Sequence, residues 1–251
     1  MIASLPMYDA PATIGANDRL WGLIRDALQA TGIAAPSALT RSGDIWDHWI
    51  NPELVFSQTC GLPYRSKLHD QVALVGAPDY GLPHAEPGYY YSVFVMRRGS
   101  ETDLPEDWAD LKFAFNQDHS QSGWAAPITH LADQNVTLTN TYFSGGHRNS
   151  AADVAFGKAD IASLDAVTWN MIQAENGIAT QLTTVGRTAA TPAMPYITAK
   201  SNDAARIRQA VGAALDQLAV EDQKILNLWG IADISMDQFL DVPTPAMLQT
   251  D

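Results

Sequence analysis

The feature that most restricts the fold is a repeated alternation of short apolar segments, typical of strands, with longer segments of helical periodicity. The first round joins the apolar segment 2–5 to the segment 18–28, in which leucine and isoleucine recur at i, i+3, i+4 and i+8. Such alternation favours an α/β fold, in which a mostly parallel sheet is covered by helices. Ligand-binding loops are then expected at the carboxyl ends of the strands.

Two series of this kind predict two lobes. The first series has strands near 2–5, 37–40, 54–57 and 71–76, with helices near 18–28 and 44–50 and from about 60. The second has strands near 112–115, 136–140, 160–164 and 180–185, with helices from about 122, 148 and 166. The extended segments Tyr89–Arg98 and Met194–Lys200 are predicted to cross between the lobes, the second leading into a helix from Asn202. The predicted lobes are residues 1–90 with 200–251, and residues 91–199.

Composition limits the class of partner. The 15 basic and 28 acidic residues give a formal charge of −13, which opposes binding to nucleic acid and to anionic membrane surfaces. No apolar run reaches the ~18 residues typical of a membrane span, so we expect no membrane insertion. The start, Met1-Ile2-Ala3-Ser4-Leu5, lacks the basic and then apolar pattern of a secretory leader, and the single cysteine cannot form an internal disulfide. The compartment therefore stays open.

A run of small polar residues follows a predicted strand in the second lobe and opens the next helix. Ser120, Gln121, Ser122 and Gly123 make up this run. Hydroxyls and unpaired N–H groups at a helix start can surround an oxyanion without any Lys or Arg, helped by the helix dipole. The bland alternative is that a serine only caps the helix. The run is therefore predicted to be either an oxyanion loop or a cap.

The first lobe has a turn of the same layout, which offers Gln58, Thr59 and Cys60 as ligand-binding candidates. We expect the two turns to face one ligand. Tyr8 follows the first strand, where its phenol would donate to a ligand oxygen, although a core tyrosine is the simpler alternative.

Two further candidates begin helices in the second lobe. His147 follows Gly145-Gly146 and either points to the ligand or packs. Asp165 ends the strand 160–164 and either caps the next helix or binds the amino group of a zwitterionic ligand.

Three segments together carry a resemblance to a known family: Ser120–Gly123, Gly145–His147 with the following 154–162, and Gly88–Val93. The chain resembles, over most of its length, the phosphate, phosphite and phosphonate substrate-binding proteins of ABC transporters. The resemblance implies a two-lobed type 2 periplasmic-binding-protein-like fold, with two mostly parallel sheets flanked by helices and joined by two crossover strands. It also implies closure around a small oxyanion: a phosphonate, a phosphite or a phosphate ester.

Site roles follow from the same resemblance. The hydroxyl loop would hold the phosphonate oxygens, Tyr8 would cover them, and an acidic residue would hold a ligand amine. A small anionic or zwitterionic ligand and an ABC permease are the implied partners, and the location is periplasmic if a leader has been removed or cytoplasmic if Met1 is the native start. Gln121 stands where the family commonly has a hydroxyl residue, which keeps carboxylates and phosphate esters open as ligands.

Two alternatives come from other functional classes. Relatives of this architecture include cytoplasmic enzymes of menaquinone and thiamine-pyrimidine biosynthesis, and Cys60 at a helix start is a candidate nucleophile for such an enzyme. The second alternative is a ligand-sensing protein that has the same fold. The sequence has no His-Glu-x-x-His, Gly-x-Ser-x-Gly or Gly-x-Gly-x-x-Gly motif, so we predict no metal, no cofactor and no catalytic residues.

Overall fold

The computed structural model describes residues 1–102 and 104–245. They form two compact units: the first contains Met1–Tyr89 and Pro192–Asp241, and the second contains Tyr90–Thr191 together with 242–245. The chain thus passes between units at 89/90 and returns at 191/192, whereas the sequence predicted these points at 90/91 and 199/200. Residues 242–245, predicted in the first lobe, belong to the second unit. Residues 246–251, which were assigned to the first lobe, lie outside the described residues.

The elements alternate along the chain. The strands are β1 (Ile2–Ser4), β2 (Leu54–Gln58), β3 (Val72–Asp79), β4 (Tyr89–Tyr90), β5 (Ser92–Arg97), β6 (Phe113–Phe115), β7 (Thr141–Phe143), β8 (Ile161–Asp165), β9 (Leu182–Arg187), β10 (Thr191–Pro192), β11 (Tyr196–Ala199) and β12 (Gly230–Ala232). The helices are α1 (Ile14–Ala30), α2 (Ile45–Trp49), α3 (Gly61–Pro63), α4 (Ala126–Ala132), α5 (His147–Ala155), α6 (Ala166–Ala174), α7 (Ala204–Leu215), α8 (Val220–Leu226) and α9 (Met236–Leu240). Among the described residues, no helix combines the length and apolar character that crossing a bilayer requires.

Each unit has its own sheet, and the strand pairing corrects one prediction. The orders are β1-β2-β11-β3-β12 in the first unit and β7-β6-β8-β5-β9 in the second. The sheets are mixed and not mostly parallel, because β11 is antiparallel to both β2 and β3, and β5 is antiparallel to both β8 and β9. One strand that runs opposite to both of its neighbours makes two antiparallel pairs in a sheet. The periodicity of a strand carries no information about its direction, so the sequence did not reveal this.

Two predicted strands are wrong. Residues 37–38 form a bend and 39–40 are irregular, and Thr40 N–H donates a backbone hydrogen bond to the Ala3 carbonyl at 2.7 Å. Residues 136–140 form an irregular connection after α4, and the strand begins only at Thr141. Thr141 is where pairing with β6 starts, so the partner strand, and not the local composition, sets the boundary.

The sheet of the second unit places two polar chain segments at one edge. Strands β6 and β8 are parallel neighbours, with Phe113 opposite Ile161. Their carboxyl ends therefore lie side by side, and these ends lead to Asn116 and to Asp165. Beneath them is a buried apolar cluster that includes Phe115, Trp124, Leu131 and Ile161. Trp124 and Leu131 belong to the helix that follows Asn116, so this cluster holds the start of that helix against the sheet.

Candidate functional site

The polar run 120–123, called the hydroxyl turn below, opens a helix in the second unit. The helix begins with a wide turn, Gln121–Ala125, of the π type and continues as α4. Ser120 caps it, because its Oγ accepts from Gly123 N–H at 3.0 Å. Ser120, Gln121 and Ser122 are all buried. The hydroxyl turn is therefore a helix start, as predicted, with its polar groups packed inside the unit.

Ser122 is held from two directions. Its carbonyl accepts from Ser163 Oγ of β8 at 2.7 Å. Its own Oγ lies 2.9 Å from His147 Nε2, within hydrogen-bond distance. These contacts fix the Ser122 hydroxyl between the sheet and the first residue of α5.

Three polar side chains lie close to one ring nitrogen of His147, Nε2. Besides Ser122, Asn116 Nδ2 lies 3.3 Å and Asp165 Oδ2 lies 3.5 Å from Nε2. Burial lowers the pKa of His147 below its ordinary value near 6.5, although the Asp165 carboxylate and the Ser163 carbonyl act in the opposite direction. Burial of His147 therefore favours the neutral form of the imidazole.

Asp165 is buried, 2% exposed, and it has a structural role. Its Oδ1 accepts from Thr168 N–H at 2.8 Å, so the carboxylate caps α6 as its position predicted. Its other oxygen, Oδ2, faces His147. Binding of a ligand amine by Asp165 stays a prediction.

Glycine is required at position 123 because the Asn116 side chain lies very close to its backbone. A Cβ at this position would lie 1.8 Å from Asn116 Oδ1 and 3.2 Å from His147 Cε1. Only a residue without a side chain leaves space for the Asn116 amide beside His147. Gly123 therefore allows the packing that brings Asn116, His147 and Ser122 together.

The first-unit candidates lie at the carboxyl end of β2 and after β1. Gln58 is buried, and its Nε2 donates to the Tyr80 hydroxyl at 2.9 Å and to the Met194 carbonyl at 3.2 Å. Tyr8 ends a short 3-10 turn, and its ring makes an edge contact with Tyr80, 5.6 Å between centroids. Both residues line a pocket of about 20 Å³, enough for one water-sized group.

Thr59 and Cys60 follow Gln58. Thr59 is fully buried, and its Oγ1 has no hydrogen-bond partner among the described residues. Cys60 is half-buried at the start of α3, where its side chain does not cap the helix. The ligand-binding role of these two residues, like that of Tyr8 and Gln58, stays a prediction.

Two residues of the second-unit cluster, Asn116 and Ser163, were not among the predicted site residues. Asn116 directly follows β6, and this position at the end of a strand was an available signal. Ser163 is a buried serine in the middle of the otherwise mostly apolar strand β8. Its contact with Ser122 depends on strand order, which the sequence did not reveal.

Ser122, His147 and Asp165 have the composition of a hydrolase triad but not its geometry. In a triad, one ring nitrogen faces the serine and the other faces the carboxylate, so that the base is oriented while it takes the proton. Here Ser122 Oγ and Asp165 Oδ2 both lie near Nε2. The arrangement therefore lacks the orientation of the base on which a triad depends.

The chain resembles known proteins in both sequence and fold. Residues 60–236, more than half of the chain, match the family described as "ABC transporter, phosphonate, periplasmic substrate-binding protein". The chain belongs to this family. A solute-binding role is thereby confirmed, and at the level of the family the protein is a substrate-binding protein and not an enzyme. A search of curated proteins gave no match.

Solved structures confirm the α/β periplasmic-binding fold of this phosphonate-family protein. PhnD1 from Prochlorococcus marinus in complex with methylphosphonate has a TM-score of 0.70 at 15% identity, over 90% of each chain. A Xanthomonas citri protein bound to chloride ion has a TM-score of 0.68 at 13% identity, over 95% of this chain and 92% of that one. A binding protein component of an ABC phosphonate transporter from Pseudomonas aeruginosa has a TM-score of 0.65 at 17% identity, over 95% and 82%.

Proposed function

We propose that this substrate-binding protein binds a small phosphorus oxyanion, a phosphonate, a phosphite or a phosphate ester, at the hydroxyl turn and His147. The observation that carries the proposal is the fixed position of Ser122 Oγ between the helix start and His147 Nε2. A tetrahedral oxyanion requires several donors that converge from different directions. The helix N–H groups and the Ser122 hydroxyl are donors of this kind, and the imidazole lies within hydrogen-bond distance of that hydroxyl.

The electrostatics of the second unit support an anion held without a basic side chain. The net charge of −13 attracts no anion from a distance, so any affinity for one must arise from local donors. The groups in contact with Ser122 and His147 in the described structure are Asn116, Ser163 and Asp165, none of which is a cation. Neutral donors at a helix start, aided by the helix dipole, are a known solution to this problem.

The choice of ligand class is supported by the fold neighbour from Prochlorococcus marinus, which was solved with methylphosphonate. Gln121 replaces a hydroxyl residue that is common in the family, and its longer side chain changes the space beside the oxyanion. Phosphite, methylphosphonate and small phosphate esters are therefore the probes to compare. We further propose that the bound solute is delivered to an ABC permease for uptake.

The first prediction concerns a ligand panel. Phosphite, methylphosphonate, aminomethylphosphonate and a methyl phosphate ester, each at about 100 times its Kd, are expected to stabilise the protein by about 2.7 kcal/mol by mass action. For a chain of this size the expected rise in Tm is roughly 5–10 °C. Differential scanning fluorimetry measures the rise, and isothermal titration calorimetry gives Kd. Acetate and sulfate serve as controls. If no phosphorus oxyanion of the panel raises the Tm, the proposed ligand class is wrong.

The second prediction tests the alternative in which Cys60 is a nucleophile. Cys60→Ser is expected to keep the methylphosphonate-induced rise in Tm, because serine has nearly the same shape as cysteine and keeps a hydrogen-bond donor. Intermediates of the menaquinone and thiamine-pyrimidine pathways are expected to remain unchanged on incubation with either form, as followed by mass spectrometry. Consumption of an intermediate by the wild type, lost in Cys60→Ser, would support an enzyme instead.

A further inference from the structure

The Ser122 hydroxyl has a single hydrogen, and this limits what it can do when a ligand binds. When His147 is neutral and its proton is on Nδ1, Nε2 accepts from Ser122 Oγ at 2.9 Å and from Asn116 Nδ2 at 3.3 Å. The hydroxyl hydrogen of Ser122 is then engaged in the bond to His147 and cannot be donated to a ligand. For Ser122 to donate to an oxyanion and keep its hydrogen bond to His147, its Oγ must accept a hydrogen from Nε2.

Two groups beside His147 favour a ring that carries an extra proton. Asp165 Oδ2 lies 3.5 Å from Nε2, on a carboxylate that is buried. The Asp165 charge and the Ser163 carbonyl raise the pKa of His147, and burial outweighs them in the ligand-free state. A bound oxyanion adds a second negative charge beside the same ring, which favours protonation further.

We propose that the site takes up one proton from solvent when it binds its oxyanion, and that His147 holds this proton between Ser122 and Asp165. Nε2–H then donates to Ser122 Oγ, and the Ser122 hydrogen turns to the ligand. Asp165 is a positioning residue in this scheme, since it compensates the imidazolium charge and does not itself contact the ligand. The inference rests on the proposed function and adds the protonation state of the site to it.

Other charged groups around α5 are engaged elsewhere. The pairs are Arg148 with Glu175 at 2.8 Å, Lys158 with Asp153 at 3.3 Å, His119 with Asp118 at 2.8 Å, and Arg187 over the Tyr91 ring at 5.6 Å. Arg97, at the far end of β5, contacts Ser100. Asp165 is therefore the charged group of the described residues that faces the His147 ring directly.

The sign of the pH dependence follows from the two pKa values of His147. Binding raises the pKa, so the affinity is highest and constant below the pKa of the free protein. Between the free and the bound pKa, Kd rises by up to tenfold per pH unit, and above the bound pKa it levels off at the weak limit. The whole change equals tenfold for each unit by which binding raises the pKa.

The experiment is a histidine NMR titration from pH 5 to 9, with and without saturating methylphosphonate. The His147 Cε1–H signal is identified by its absence from His147→Gln, or by backbone-linked assignment if that variant does not fold. We expect a pKa of His147 below 6.5 in the free protein and higher by about one unit or more in the complex. Because the signal belongs to the protein, the second ionisation of methylphosphonate does not obscure it.

Asp165→Asn tests the positioning role, because asparagine keeps an oxygen that can cap α6. We expect the pKa of His147 in the complex to fall by about 1–3 units and the pH window of Kd to move to lower pH by the same amount. Methylphosphonate and aminomethylphosphonate should be affected equally. Asp203→Asn is the matched control, since Asp203 caps α7 in the first unit by accepting from Arg206 N–H at 3.0 Å.

The outcomes separate the possible explanations. An unchanged His147 pKa on binding would overturn the inference and leave the proposed function intact. A loss of affinity in Asp165→Asn that is confined to aminomethylphosphonate would assign Asp165 to a ligand amine, and an equal loss at every pH would assign it a structural role; either result overturns the inference. Failure of the wild type to bind any oxyanion of the panel would instead remove the proposed function.

Discussion

Gly123→Ala is expected to weaken oxyanion binding on the order of 100-fold in a protein that still folds. The added Cβ would lie 1.8 Å from Asn116 Oδ1 and 2.7 Å from Asn116 Cγ, so the amide must move away and release His147. Losing the alignment of two donors to an anion corresponds to about 3 kcal/mol, or on the order of a 100-fold increase in Kd. Calorimetry with methylphosphonate measures this change, and denaturant unfolding should show a loss of about 1–3 kcal/mol from overpacking.

The matched control for that variant is Gly22→Ala in α1. A Cβ at Gly22 meets no atom within 4 Å, so it adds no clash. Replacing a glycine inside a helix should raise the free energy of unfolding by about 0.5–1 kcal/mol and leave Kd unchanged. If Gly123→Ala binds methylphosphonate within a few-fold of the wild type, the hydroxyl turn is not the oxyanion site.

Ser122→Ala is expected to give the second largest loss of affinity. It removes one donor to the anion and the acceptor for His147 Nε2, while the Ser122 carbonyl keeps its bond from Ser163 Oγ. A hydrogen bond to a charged group contributes about 1.5–3 kcal/mol, so Kd should rise by roughly 10–100-fold. The rise in Tm on addition of methylphosphonate should shrink accordingly.

Ser150→Ala controls for the loss of a buried serine in the same unit. Ser150 is fully buried in α5, and its Oγ bonds Ser144 Oγ at 2.6 Å, away from the contacts of His147 with Ser122 and Asp165. We expect a loss of about 1 kcal/mol in stability and an unchanged Kd. Equal effects of the two serine variants on Kd would contradict a specific role for Ser122.

Much of the candidate site was predictable because its residues occupy special positions in the chain. The hydroxyl turn and Asp165 lie where a strand gives way to a helix, and His147 opens the helix after Gly145-Gly146. Helix starts leave N–H groups unpaired, so small polar residues there are visible as caps in the sequence. Asn116 and Ser163 were missed because their importance comes from neighbours on other strands.

The fold shows the same division. Most of the strands and helices were predicted from periodicity, because burial of one face repeats every two residues in strands and about every 3.6 in helices. The mixed pairing of the strands was not predicted from the sequence. Each of β5 and β11 is inserted between strands that run in the opposite direction, and this order depends on contacts between residues far apart in the chain. The misplaced strand at 136–140 has the same origin, as pairing with β6 begins only at Thr141.

The amino-acid sequence by itself determined the order of strands and helices, the capping residues and the resemblance to the phosphonate-binding family. The tertiary structure alone decided that Ser122 and His147, 25 residues apart, share a hydrogen bond beside Asp165. The physical reason is range. Periodicity and capping act over a few residues, whereas a contact of about 3 Å between distant residues depends on strand order and register, which emerge only when the whole sheet packs.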